Sequence, residues 1–279
     1  MTSIQWSVAL KAPRGCRAIA ADTRVFPYAW NETDINTWIA TLLGSYEWDG
    51  YLCYNDTPPM QDAKGNGGHC KGVVCTTTQF VGWLVHSCPS WPSDINPVPE
   101  IPHSAYTYGQ SFVWVLLPIE RLNDILRHIS LMESHVYLRS GDIFDDVDAV
   151  PHSLTAHVDT VYFNDYVWHI AKTHKWGLDI FEDYCATTLG GGVAVETWMR
   201  PALPDENSVS NVRRVRWPDG TTYDDDNDHS KWAISKTSEK PWVYVGDVNH
   251  QKSQAHRGGG GMIIIDVQLW TLFAGLIRE

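Results

Sequence analysis

No stretch of about 18 consecutive apolar residues, the least that crosses a bilayer as a helix, occurs anywhere in the chain. Its start, Met1 to Leu10, carries neither the basic n-region nor the apolar h-region of a secretion leader. These absences predict a soluble protein with no membrane partner and no visible signal peptide, and they leave its compartment open. The six cysteines, at positions 16, 53, 70, 75, 88 and 185, form no CxxC pair and no metal-finger spacing. Zinc is therefore not expected, no cofactor is implied, and disulfides are neither required nor excluded. Positive charge is scarce: 21 Lys and Arg stand against 33 Asp and Glu, a net charge of -12 at pH 7. That balance argues against broad non-specific attraction to a polyanion at neutral pH. The objection lapses in acid, because protonation of the twelve histidines would bring the formal charge close to zero.

With 279 residues the chain can bury a substantial core, as one large domain or as two small, intimately packed ones. Its fourteen tryptophans are many for that length, and most of them must serve packing. The informative feature is a repeat. His69-Cys70-Lys71 returns as His229-Ser230-Lys231, and residues 69–89 and 229–249 align without a gap, matching also at Thr77 and Thr237 and at Val85 and Val245. Each block reads as a strand (Gly72 to Val74; Trp232 to Ile234), a polar turn, a second strand (Trp83 to Val85; Trp242 to Val245) and a closing polar turn, His86-Ser87 or Gly246-Asp247. Residues two apart on a strand share a face, so His and Lys of each triplet are expected to point the same way. A two-fold relation between the copies would bring both pairs to one site.

The flanks repeat as well. Asn31 to Leu43 has apolar residues at helical spacing, with Asn31 or Thr33 as N-cap, and precedes the strand-like Gly50 to Tyr54. Leu178 to Leu189 is likewise helical and precedes a strand over Val193 to Trp198. The segments predict an N-terminal half over 1–145 and a C-terminal half over 146–279, each a helix, a strand and a His-x-Lys hairpin, forming one compact unit. Ile119 to Val136 is expected to be an amphipathic helix joining them, and the Pro-rich Pro89 to Pro102 a turn-rich connection. His128 and the His174-Lys175 pair read as surface residues. Asp224-Asp225-Asp226 reads as a solvated loop, and Arg213-Arg214-Arg216 either as a phosphate cradle or as a salt-bridged strand.

A duplicated His-Lys pair suits metal-free attack on a phosphodiester. One imidazole attacks phosphorus, the other protonates the leaving oxygen, and the lysines neutralise the non-bridging oxygens. The symmetry of the repeat does not choose which imidazole is the nucleophile.

Several strings then carry a resemblance: Tyr54-Asn55-Asp56 with Pro58-Pro59; Gly68 to Gly72; Trp83 to Ser87; Pro102-His103-Ser104 with Thr107-Tyr108-Gly109-Gln110; Asp228 to Trp232; Val245 to Asn249; and Arg257 to Gly260. Their order and content resemble deoxyribonuclease II over nearly the whole chain. The resemblance implies an α/β fold of the phospholipase D-like kind, a pseudo-dimer of two similar halves, each with a mixed sheet flanked by helices and the active site at their interface. It implies a nucleic-acid partner and a metal-independent, acid-favouring endonuclease that leaves 3'-phosphate ends. By position, His69 and Lys71 take over the first catalytic pair and His229 and Lys231 the second, with His69 favoured as nucleophile and His229 as general acid. Asn249 becomes a phosphate ligand, and Asn55, Asp56, His103, Gln110 and Arg257 become further substrate-binding candidates. A homodimer is left open.

Two departures bear on this. Phospholipase D proteins carry Asp five residues after the Lys, where this chain has Thr76 and Lys236. Animal deoxyribonuclease II members have cysteines where this chain has Ala105, Ala233 and Tyr244, so the family's disulfides and its lysosomal or secreted location do not transfer automatically, and a reducing compartment stays open. RNA as substrate and an idle nucleic-acid-binding relative are the alternatives carried forward. Lipid phosphodiester hydrolysis has only fold analogy behind it.

Overall fold

The computed structural model describes residues 4–63, 67–147, 155–198, 203–205 and 208–278. Among these, two large sheets dominate. The first contains β1 (Gln5–Lys11), β2 (Arg17–Asp22), β3 (Asn31–Asp34), β4 (Gly50–Asn55), β5 (Lys71–Thr76), β6 (Phe80–His86), β7 (Gln110–Pro118) and β8 (Val136–Ser140), in the order β3-β2-β1-β7-β6-β5-β4-β8. The second contains β9 (Val158–Tyr162), β10 (Val167–Lys172), β11 (Val193–Glu196) and β12 (Val209–Asn211). A small sheet interrupts it with β13 (Arg214–Arg216) and β14 (Thr222–Asp224), after which come β15 (Trp232–Ser235), β16 (Trp242–Gly246) and β17 (Gly259–Ile265); β18 (Ile277–Arg278) closes the small sheet. The second sheet runs β12-β11-β15-β16-β17-β10-β9. The order β1-β7-β6-β5-β4 thus returns as β10-β17-β16-β15-β11, all antiparallel.

The alternation of side chains explains the layering. In β6, Val81, Trp83 and Val85 face the central core, while Leu84 faces the other way. In β16, Val243 and Val245 join that same central core, while Trp242 and Tyr244 face outward. Burial on both faces requires a cover outside each sheet. Helix α1 (Ile35–Leu43) covers the first with Ile35, Trp38 and Ile39. A wide π helix, Phe181–Leu189, covers the second with Phe181 and Cys185, helped by Ile180 just before it. Helix α2 (Leu122–Leu131) completes the central core through Leu122, Ile125 and Ile129.

Several expectations need correction. Helix α1 begins four residues later than Asn31: Asn31 to Asp34 form β3, and Asp34 is the N-cap, accepting from the amides of Asn36 and Thr37. A carboxylate at that position satisfies two of the free amides of the first turn, which Asn31 and Thr33 do not reach. Helix α2 lies where helical spacing places it, but it connects β7 to β8 of one sheet and does not join the halves. His128 is not a surface residue: it sits on the buried stripe of α2, with its Nδ1 2.7 Å from Nδ1 of His169 and its Nε2 3.2 Å from Asp159. His174 is half-exposed and paired with the buried Glu133. Of the two readings of the arginine segment, the salt-bridged strand holds: Arg214 pairs with Asp224 at 2.7 Å and Arg213 with Asp225 at 3.3 Å. All six cysteines are free.

Trp83 joins the two sheets. It is fully buried, donates from Nε1 to the Tyr54 hydroxyl at 3.0 Å, and lies 4.3 Å from the ring of His169 in the second sheet. Trp83→Ala is expected to cost about 3–5 kcal/mol of unfolding free energy in denaturant titration; a loss under about 1 kcal/mol would contradict this packing.

Candidate active site

The two His-x-Lys triplets stand at the mouths of equivalent strands. Lys71 opens β5 and Lys231 immediately precedes β15, so each histidine lies just outside its sheet. Each triplet is held by the other half. The His69 amide donates to the Gly258 carbonyl at 2.8 Å, its Nδ1 meets the Asp247 carbonyl at 2.5 Å, and the Lys71 amide donates to Asp247 Oδ2 at 3.3 Å. In return, the His229 amide donates to the Gly109 carbonyl at 3.0 Å and the Lys231 amide to Ser111 Oγ at 2.9 Å. A Cβ on Gly109 would meet Asp228 Oδ1 at 2.2 Å, and one on Gly258 would meet the Met132 carbonyl at 2.2 Å. Only glycine lets these two chains approach so closely.

Buried lysines outside the triplets anchor the loops that supply those carbonyls. Lys172 Nζ donates to the carbonyls of Gln254, Ala255 and Arg257 at 2.9, 3.0 and 2.6 Å. Lys11, at the equivalent place in β1, donates to Ala12, Gly15 and Tyr106 at 2.6, 2.9 and 3.3 Å. Nothing in the local sequence distinguished either lysine from a surface residue.

The electrostatics follow from burial. Lys71 and Lys231 are each 4 % exposed, whereas both imidazoles are partly exposed above them. Burial, then the nearby Lys71 charge, pushes Lys231 down to about 7. Burial, then Lys71, also holds His69 well below the usual imidazole range; Lys231 and Arg257 add to this and Asp56 opposes it. Carbonyl oxygens only accept, so the Asp247 carbonyl fixes the His69 proton on Nδ1 and leaves Nε2 with its lone pair. Burial resists ionisation of Asp56, but Lys71, His69 and Arg257 outweigh it and hold this carboxyl below the usual range. Its oxygens bind Lys71 Nζ and, at 3.2 Å, Arg257 Nη2, and one lies 4.0 Å from His69 Nε2.

The remaining candidates divide. Asp56 and Arg257 belong to the His69 cluster; Arg257 also donates to the Gly67 and Gly68 carbonyls at 3.2 and 3.1 Å. Asn249 is 2 % exposed, with its Oδ1 buried and unbonded among the described residues, in a turn fixed by its neighbour His250, which bonds Thr197, Asn211 and Glu182. Asn55 is not offered to a ligand: its amide nitrogen donates to the Cys88 and Trp91 carbonyls and its oxygen accepts from the Thr57 amide. Gln110 accepts from Ser87 beneath the site. His103 is exposed and rests on Tyr106, a ring spacing of 4.7 Å. The sequence reading missed Asp247, Ser111, the aromatic neighbours of His229, and the fully buried Glu196, which burial and Asp228 keep well above the carboxylate range. Among the described residues, no group of three or more His, Cys, Asp or Glu side chains is arranged to hold a metal ion.

Each triplet thus pairs a partly exposed imidazole with a buried ammonium group. The family model for deoxyribonuclease II matches residues 3–279. The chain belongs to the deoxyribonuclease II family. It is therefore a hydrolase of the nuclease class. Similar proteins include deoxyribonuclease-2-alpha of Sus scrofa, 30 % identical over 82 % of this chain and 69 % of the relative. Cell death-related nuclease 6 of Caenorhabditis elegans is 30 % identical over 81 % and 67 %, and a putative deoxyribonuclease-2 of Burkholderia thailandensis 31 % over 79 % and 69 %. In the region described, no helix is long and apolar enough to cross a membrane.

Burial raises Asp247 to about 7, against the pull of the Gly260 and Lys71 amides. A carboxyl whose folded pKa exceeds its unfolded one contributes stability that is complete below about pH 4 and lost as pH rises through 7. Asp247→Asn does not titrate. The stability advantage of the wild type over this variant is therefore expected to shrink by about 2–4 kcal/mol between pH 4 and 7 in denaturant titrations; an advantage independent of pH would contradict the assignment.

Proposed function

We propose that this protein hydrolyses DNA phosphodiester bonds without a metal ion, through a covalent phosphohistidine. The observation that carries the reading is that each duplicated pair is bonded to the segment that follows the other: Gly258 and the Asp247 turn hold His69 and Lys71, and Gly109 and Ser111 hold His229 and Lys231. The repeated strand order fits a pseudo-two-fold assembly of the phospholipase D-like kind, with residues 1–145 and 146–279 as its halves. DNA is preferred over RNA because the similar proteins are named as deoxyribonucleases.

His69 Nε2, neutral and with its lone pair free, attacks phosphorus. The new P–N bond forms as the P–O5' bond breaks, and the departing O5' takes a proton from His229. Lys71 and Lys231, with the Asn249 amide, hold the non-bridging oxygens as charge develops. Water then attacks the phosphohistidine, giving its proton to His229; the P–N bond breaks, leaving a 3'-phosphate and a restored His69.

The same groups set the pH dependence. His69 stays neutral well into acid, whereas Lys231 loses its charge as pH rises through about 7. Activity should therefore lie on the acidic side of neutrality, where the overall charge also opposes a polyanion least. In the presence of EDTA, wild-type cleavage of DNA is expected at pH 4–6 and to fall steeply by pH 8. His69→Ala and His229→Ala should each lose at least about a thousandfold. Cleavage abolished by EDTA, or retained by either variant, would overturn the mechanism; cleavage of RNA in preference to DNA would overturn the substrate.

A further inference from the structure

The duplicated pairs are built alike but furnished differently. The residue before the carbonyl that receives the His69 amide is Arg257, and the residue before the one that receives the His229 amide is Tyr108. In β4, Tyr54 pairs with Gly72, the residue after Lys71, and Asp56 follows two positions on; in β11, Glu196 pairs with Trp232, the residue after Lys231, and Trp198 follows two positions on. Where His69 meets a guanidinium and a carboxylate, His229 meets two aromatic rings. Tyr108 lies parallel to the imidazole, with ring centroids 4.0 Å apart and planes inclined by 6°. Trp198 closes from another direction at 4.7 Å and 45°. Both rings are partly exposed, so neither is required merely to fill the core.

We propose that Tyr108 and Trp198 are positioning residues for His229: their rings clamp the imidazole in the orientation that delivers its proton to the leaving oxygen. An unclamped imidazole rotates about its Cβ–Cγ bond, and proton transfer tolerates little misplacement. An aromatic face also favours a cationic ring over a neutral one, and does so without an anion that would repel the substrate phosphate. Of the groups near His229, Lys231 donates to its carbonyl at 2.8 Å and Asp228 precedes it, while Glu196, paired with Trp232 in the sheet, is kept well above the carboxylate range by burial and the Asp228 charge. The clamp divides the labour between the pairs. His69, surrounded by Lys71, Lys231 and Arg257, is kept neutral for attack, and His229 is held between rings to give a proton.

The inference rests on His229 being the general acid, and one substrate pair separates the two ideas. A DNA oligonucleotide with a single ordinary linkage at the cleavage position is compared with one whose 5'-bridging oxygen there is sulfur. A thiolate leaves without protonation, while the bases and the non-bridging oxygens are unchanged. Single-turnover rates are measured for wild type, His229→Ala, Tyr108→Leu, Trp198→Leu and Tyr108→Phe. Circular dichroism confirms each fold, with Met replacing Leu in any variant that departs from wild type. The clamp predicts that the Leu variants lose about 10- to 100-fold on the ordinary linkage, stay within about threefold of wild type on the sulfur linkage, and that Tyr108→Phe restores the ordinary rate. Equal losses on both linkages, as removal of a base-stacking surface would give, overturn the clamp while His229→Ala is still rescued by sulfur; so does an unchanged rate in both Leu variants. If His229→Ala is not rescued by sulfur, the reading of His229 as general acid fails, and the clamp with it.

Discussion

The site depends on hydrogen bonds exchanged between the two halves. His69 and Lys71 hang from Gly258 and Asp247, and His229 and Lys231 hang from Gly109 and Ser111. Neither triplet is positioned by its own hairpin alone. The strands supply only the starting point, and the partner half supplies the orientation. This is why the anchoring of the partner loops by Lys11 and Lys172, each spending its ammonium group on three carbonyls, matters to residues well removed in sequence. It also accounts for glycine at both accepting carbonyls, since any side chain at 109 or 258 would strike Asp228 or Met132 and push the halves apart.

Cross-bracing brings like charges together, at a cost that folding must meet elsewhere. Burial, and after it the neighbouring Lys71 charge, moves Lys231 down to about 7. Asp56 compensates on the His69 side through its ion pairs with Lys71 and Arg257. In the proposed reaction this charge has a use, because a phosphodiester bound there would neutralise it. A site of this kind trades stability for transition-state affinity, and the shared central core, built from Trp83, Val85, Trp232, Val245 and their neighbours, carries that cost.

Much of this was legible in the sequence, and for identifiable reasons. Alternation exposed both hairpins, the gap-free repeat located both His-Lys pairs, and the order of short strings pointed to the family. What the chain did not reveal is tertiary. Asn55 is a candidate ligand through the Tyr54-Asn55-Asp56 string, yet its amide is consumed by the Cys88 and Trp91 carbonyls, which only the folded Pro-rich connection brings near. The signal for His128 lies in the spacing Leu122, Ile125, His128, Ile129, where a polar residue occupies a buried stripe and needs a buried partner; the partner, His169, lies on a strand of the other sheet. Asp247 was assigned only to a turn, because its side chain and its carbonyl act on residues 176 and 178 positions away. Tyr108 and Trp198 flank His229 from two separate segments, and no spacing rule links them.

The most direct test of the account is to intercept the covalent intermediate. Wild-type protein is mixed briefly with the oligonucleotide bearing a sulfur leaving group, quenched in alkaline denaturant so that phosphoramidate bonds survive, digested, and mapped by mass spectrometry. A nucleotidyl adduct on the peptide containing His69 is the result predicted. An adduct on the His229 peptide would reverse the two roles, and the absence of any adduct, with cleavage proceeding, would contradict covalent catalysis altogether.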